Sequence, residues 1–303
     1  MVKEVFWDHN FQEYMTVKDC PYCQDSANYT EIAKKPQVVV KCNTCGLYRL
    51  YPRMNHEGQI AMFKRYNEEK IDIAKWKNKL VNIDRHTLRE VEKIKQIFPQ
   101  VFQNGRVLDV GCAEGAFDLA LKRAGANPTG IEPKGDLVEL GKEEGLDLHV
   151  GRFELGAGGI PSDLENHSFD LICFRGTLYY MPNLHQTFDL LNTYLKPGGG
   201  LYINISVATS IYFFFISKDF SQRLGLNAAS MPTKKSLEYI LNREGYKIHK
   251  ISYYWPGYAL NVPKWVSKSF LHRIIGMGGR FGLSLFAYFI RRGDRVVAYA
   301  SKK

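Results

Sequence analysis

The chain predicts an α/β fold, a parallel sheet whose first strand opens into a cofactor loop, with a small metal-stapled module ahead of it. Residues 107–117 read as a buried strand, a glycine-relaxed turn at Gly111, Ala113 and Gly115, and the start of a helix. Residues 129–133 read as a second strand that ends in an acid, Glu132, about twenty residues beyond the turn. Two C-x-x-C pairs, Cys20 with Cys23 and Cys42 with Cys45, stand well ahead of both.

The paired knuckles have the spacing of a tetrahedral four-thiolate zinc site, with a strand-like run at Val38, Val39 and Val40 between them. A disulfide pair is the alternative, disfavoured because the first residues lack the apolar run of an export signal. Four thiolates close the coordination shell, so the expected Zn²⁺ is structural. Residues 1–53 are therefore expected to form a zinc-ribbon module. Cys112 and Cys173 read as small core residues.

Residues 54–99 carry helical signals and form an expected linker or cap. Leu88, Val91, Ile94 and Ile97 recur on one face, and Pro99 ends the pattern. The run from Met62 to Tyr66 can cover the site, but its charges favour a solvated helix.

At the turn, small residues let a ligand lie against bare backbone, and the next helix offers free N–H groups to an anionic ligand group. Gly111, Ala113 and Ala116 fit only a degenerate dinucleotide fingerprint. Asp109, two residues before the first glycine, suits an ammonium group and repels a pyrophosphate, which favours S-adenosylmethionine over NAD. Ala113 fits this turn if its φ is negative. The glycine clusters at 156–159 and 276–279 read as loops, since no Lys-Ser or Lys-Thr follows.

A buried strand at 169–176 and a turn feeding another strand at 195–205 follow in order. Over roughly residues 100–303 this succession resembles the class I S-adenosylmethionine-dependent methyltransferases. The resemblance implies a Rossmann-like seven-stranded sheet, with Asp109, Gly111, Ala113 and Gly115 around the methionine half of the cofactor and Glu132 on the ribose. Pro133 would start the next helix. Arg152 and Phe153 would lie beside the adenine, a core position being the alternative for Phe153, and Arg175 and Gly176 would open the fourth strand onto the site.

Related small-molecule enzymes often carry Glu-His where this chain has Tyr179 and Tyr180, and in zinc-module sugar C-methyltransferases that His acts on the proton. The two tyrosines are thus the catalytic candidates, lining the substrate or, given a strong downward pKa shift, acting as base. His185 is expected to be an exposed helix residue. A four-Cys module ahead of a class I domain resembles methyltransferases of sugar and surface-polysaccharide biosynthesis, which implies a small-molecule or lipid-linked saccharide acceptor. The alternatives are a ribosomal RNA methyltransferase and a protein that binds S-adenosylmethionine without turnover. Seven basic and six acidic residues leave the module nearly neutral, which disfavours RNA.

Residues 236–248 read as the last helix, its glycine stop and the sixth strand, and 295–300 as the closing strand. These two strands are expected to form a hairpin antiparallel to the rest. A basic helical insertion at about 256–292 separates them. From Lys247 onward there are eleven basic residues and one acid, so the whole net charge of +10 lies there. Residues 263–292 suit peripheral contact with an anionic membrane, an active-site lid or, less well, nucleic acid. The uncharged stretch between Lys196 and Lys218 holds Pro197, glycines and polar residues, so it reads as a buried strand and connector. A cytoplasmic enzyme is expected, and peripheral contact with the inner face of a membrane is one of the alternatives the insertion leaves open.

Overall fold

The computed structural model describes residues 9–33, 38–156, 158–181, 183–207, 230–254 and 295–303. The expected basic insertion, including 263–292 and the glycines at 276–279, lies outside the described residues. So does the connector that follows the uncharged strand.

The N-terminal part runs through β1 (Met15–Val17), β2 (Tyr29–Ala33), β3 (Val39–Cys42), β4 (Tyr48–Leu50) and β5 (Arg53–Met54). Three helices follow, α1 (His56–Glu68), α2 (Ile73–Val81) and α3 (Arg85–Ile97). Their starts are written in the sequence: Asn55, Asp72 and Asp84 each accept a backbone N–H from the first turn. The second part comprises β6 (Arg106–Val110), α4 (Ala116–Arg123), β7 (Asn127–Glu132), α5 (Gly135–Glu143), β8 (Asp147–Val150), β9 (Phe169–Arg175), α6 (Leu184–Tyr194) and β10 (Leu195–Ser206). After it come β11 (Ser230–Met231), α7 (Lys234–Arg243), β12 (Tyr246–Tyr254) and β13 (Arg295–Lys302).

Seven strands form one sheet in the order β12-β13-β10-β9-β6-β7-β8. The pairs among β6 to β10 are parallel, while β13 runs antiparallel to both β10 and β12. The last two strands pair antiparallel at the edge of the sheet as expected, but only β13 runs against the rest, and it lies inside the edge strand β12. Alternation along the strands builds a core on each face. Leu108, Val110, Ile172 and Phe174 pack into one, and Val107, Leu171, Cys173 and Tyr202 into the other. Cys112 and Cys173 are both buried.

A second sheet joins the two parts of the chain. Its order is β11-β4-β3-β2, so the cysteine-bearing module is completed by a strand some 180 residues later, with Ser230 opposite Arg49 and Met231 opposite Tyr48. Thr233, which caps α7, donates to the Gly46 carbonyl at 3.2 Å, and Arg243 donates to the Tyr22 carbonyl at 3.0 Å.

Two details of the helices differ from the expected pattern. The buried face of α3 is Thr87, Glu90, Val91 and Ile94, whereas Leu88 is exposed. His185 is half-buried and pairs with Glu244 at 3.2 Å. Among the described residues no helix is long and apolar enough to cross a membrane.

Candidate functional site

The carboxyl ends of β6, β7, β8 and β9 open into a cavity of about 450 Å³. It lies where strand order reverses on either side of β6, the usual ligand crevice of an open α/β sheet. Its floor is Val110, Gly111, Ala113, Ile131, Glu132 and Pro133; Gly151, Arg152, Phe153, Arg175, Gly176 and Thr177 add walls. Met62, Phe63 and Tyr66 of α1, Trp76 of α2, and Tyr180 and Met181 close it.

Gly111 has φ +79, and a Cβ there would come within 2.2 Å of the Thr177 methyl group. Only glycine fits, because Thr177 is itself tied by its hydroxyl to the Val110 carbonyl at 2.6 Å. Ala113 has φ +51, contrary to the negative φ expected of it. It is held in this left-handed region, which L residues rarely adopt, and its N–H donates to Glu132 Oε2 at 3.2 Å. Gly115, at φ +83, is the N-terminal boundary residue of α4 and packs against Leu146 and Leu148, outside the cavity lining.

Glu132 is buried and accepts a second N–H, from Lys134, at 3.1 Å. Burial pushes its carboxyl up to about 7, against the pull of the Lys134 and Ala113 N–H groups. Pro133 lines the cavity two residues ahead of α5.

Asp109 is buried beside Asp118 of α4 and does not line the cavity. Burial raises its carboxyl to about 7, opposed by the charge of Arg175. Phe153 both lines the cavity and packs edge-on against Phe174, so cavity wall and core position coincide. Arg152 pairs with Glu154 and stacks over the Phe63 ring at 5.6 Å. Tyr179 and Tyr180 have ring centroids 4.5 Å apart, and only Tyr180 lines the cavity. Burial raises both phenols above their ordinary value, so at neutral pH they are hydrogen-bond donors.

The helical segment ahead of the sheet is where the solvated reading is corrected. Met62 is 5 % exposed, and α1 turns it with Phe63 and Tyr66 onto the cavity. Trp76, Thr177, Met181, Glu90 and Lys134 were not singled out from the sequence. For Trp76, an aromatic position within a helical pattern was the available signal.

Cys20, Cys23, Cys42 and Cys45 bring their four sulfurs within 4.8 Å of one another, with Cys20 to Cys45 at 3.5 Å and Cys23 to Cys42 at 3.4 Å. Sulfurs at the corners of a tetrahedron about 2.3 Å from a central ion would lie roughly 3.8 Å apart. The donor set therefore fits a four-thiolate metal centre, and none of the four cysteines lines the cavity.

A family model described as a methyltransferase domain matches residues 83–251. The demethylmenaquinone methyltransferase of Staphylococcus saprophyticus is 24% identical over 205 residues, 60% of this chain and 86% of the relative. The ubiquinone biosynthesis O-methyltransferase of Hydrogenovibrio crunogenus is 26% identical over 115 residues, 38% of this chain and 47% of its own length. This chain thus spans about half of the latter. Among solved structures, geranyl diphosphate C-methyltransferase from Streptomyces coelicolor, in complex with S-adenosyl-L-homocysteine, superposes with a TM-score of 0.52 at 13% identity, covering 81% of this chain and 98% of that one. The sheet, the crevice at its reversal point and the matched domain agree, and the chain belongs to the S-adenosylmethionine-dependent methyltransferases.

Proposed function

We propose that the cavity holds S-adenosylmethionine and a small acceptor together, and that the acceptor is a saccharide, free, nucleotide-linked or lipid-linked. The observation that carries the cofactor half is the buried Glu132 carboxylate, fixed by two backbone N–H groups at the floor beside Gly111. A carboxylate so placed accepts the hydroxyls of a ribose. Gly111 and Ala113 would face the methionine half, Asp109 would act from beneath the loop as a nearby charge, and Gly115 would set the start of α4. Pro133 would border the ribose, with Arg152 and Phe153 against the adenine and Arg175 and Gly176 along the wall.

S-adenosylmethionine supplies, when bound, an already activated methyl group, so the chain has mainly to align the acceptor and exclude water. Phe63, Tyr66, Trp76 and Tyr180 offer the aromatic faces on which the apolar side of a sugar ring packs. Tyr180 would donate a hydrogen bond to the acceptor, its raised phenol making it unsuited to the role of base. Zn²⁺ on Cys20, Cys23, Cys42 and Cys45 would brace the N-terminal module.

A second reading, an isoprenoid or quinone-type acceptor, is favoured by the apolar wall of Met62, Phe63, Trp76 and Met181 and by the named activities of the relatives. The test is to incubate zinc-loaded protein with methyl-labelled S-adenosylmethionine and cell extract, then count label in glycan, small-molecule, quinone-lipid and RNA fractions. Label in glycan or sugar supports the first reading, label in the quinone-lipid fraction supports the second, and label confined to RNA overturns both.

A further inference from the structure

Lys134 is 1 % exposed, and its ammonium donates to three backbone carbonyls at the end of α1: Tyr66 at 2.7 Å, Asn67 at 3.3 Å and Glu69 at 2.6 Å. It also lies 5.0 Å from the centre of the Tyr66 ring. The last carbonyls of a helix have no partner within it and form the negative end of its dipole, so a buried cation is well matched to them. The same helix carries Met62, Phe63 and Tyr66 over the cavity.

The backbone of Lys134 faces the other way. Its N–H donates to Glu132 Oε1, whose partner oxygen accepts from Ala113. Two residues of one turn therefore join the floor of the cavity to its roof.

We propose that Lys134 is a positioning residue: it latches the end of α1 onto the turn after β7 and stations Tyr66 over the cavity, so that a ligand meets Glu132 and the roof as one preformed surface. The ligand arm of this proposal rests on the cofactor reading above, and the latch itself does not. Trp76 of α2 reaches the cavity through a separate tie, since Lys79 pairs with Glu114 at 2.8 Å and lies 4.4 Å from the Trp76 ring. Loss of Lys134 should consequently loosen α1 ahead of α2.

The test compares full-length, zinc-loaded wild type with Lys134→Met, which keeps the apolar stem, and Lys134→Arg, which keeps the charge and donors. In ligand-free Lys134→Met, amides of residues 62–69 should exchange about tenfold faster or more, as expected where buried carbonyls lose their donor, with β6 and β9 unchanged. S-adenosylhomocysteine should bind at least about tenfold more weakly, and Lys134→Arg should restore most of that loss. Adding Tyr66→Ala to Lys134→Met should cost less than the two single effects combined, since both act through one roof.

Unchanged exchange in α1 would overturn the latch, and equal acceleration across the central sheet would show a general buttress instead. A loosened α1 with unaltered S-adenosylhomocysteine affinity, or fully additive single effects, would overturn the positioning role. If wild type fails to bind S-adenosylhomocysteine, the cofactor reading falls while exchange in α1 still decides the latch.

Discussion

Glu90 accepts a hydrogen bond from Arg175 Nε at 2.9 Å, tying α3 to the end of β9 across 85 residues of sequence. Arg175 also donates to the Thr87 hydroxyl at 2.7 Å. The other Glu90 oxygen takes the Tyr202 hydroxyl and the Asn204 amide, and Asn204 accepts from Arg295 at 2.6 Å. A buried polar chain thus runs from α3 through β9 and β10 to β13 and ends against the cavity wall at Arg175.

Burial alone would raise the Glu90 carboxyl, but the Arg175 charge and the Tyr202 and Asn204 donors hold it below its ordinary value. A carboxyl whose folded pKa is depressed contributes stability that is present above its unfolded pKa and lost as pH falls through the folded one. Glu90→Gln removes one partner of a buried pair and should lower stability by about 3 kcal/mol in urea unfolding near pH 7. The difference from wild type should shrink on acidification. A pH-independent difference would argue against a charged Glu90.

Ala113 at φ +51 gives a prediction of opposite sign. Ala113→Gly relieves a left-handed conformation imposed on a side-chain-bearing residue, offset by the greater freedom of glycine in the unfolded chain. The net gain should be about 0.5–1 kcal/mol in thermal or chemical unfolding. A loss of stability would mean that the Ala113 methyl packs usefully.

Asp109 and Asp118 are both buried, and burial raises each carboxyl above its ordinary value. Burial leaves Asp109 at about 7, above its unfolded value. The sign is therefore the reverse of that at Glu90: the fold is free of penalty below the unfolded pKa and loses stability as pH rises through about 7. In ligand-free protein Asp109→Asn should raise the melting temperature at pH 8, with a clearly smaller advantage at pH 5. An advantage that is equal at both pH values would contradict a titrating Asp109.

The four-sulfur cluster should take up one zinc per chain, and its loss should be felt far away in sequence. Because β11 completes the module's sheet and Arg243 holds the Tyr22 carbonyl, chelation should speed amide exchange at residues 230–243 as well as within the knuckles. Metal analysis together with exchange before and after chelation checks this. A metal-free chain with unaltered exchange would rule out a structural ion.

Much of the fold was legible because strands and turns are local signals: the glycine loop, Glu132 at a strand end and the paired cysteines are read from spacing alone. The failures are of a different kind. Periodicity put Leu88 on the buried face of α3, yet the interior there offers Arg175, Tyr202 and Asn204, so Glu90 points inward and Leu88 is left in water. The charges of α1 suggested a solvated helix, and only the fold shows Met62 and Tyr66 facing the cavity at the ends of β6 and β7. Lys134 carries no sequence signature at all, since its partners are carbonyls 65 to 68 residues earlier.

The crevice around Glu132 is the proposed S-adenosylmethionine site. Calorimetric titration of S-adenosylhomocysteine into zinc-loaded wild type and Glu132→Ala tests it most directly. One site per chain is expected in wild type, and affinity at least about tenfold weaker in the variant, in keeping with the loss of hydrogen bonds to a buried charged group. Equal affinity in the two proteins, with the variant folded, would contradict it.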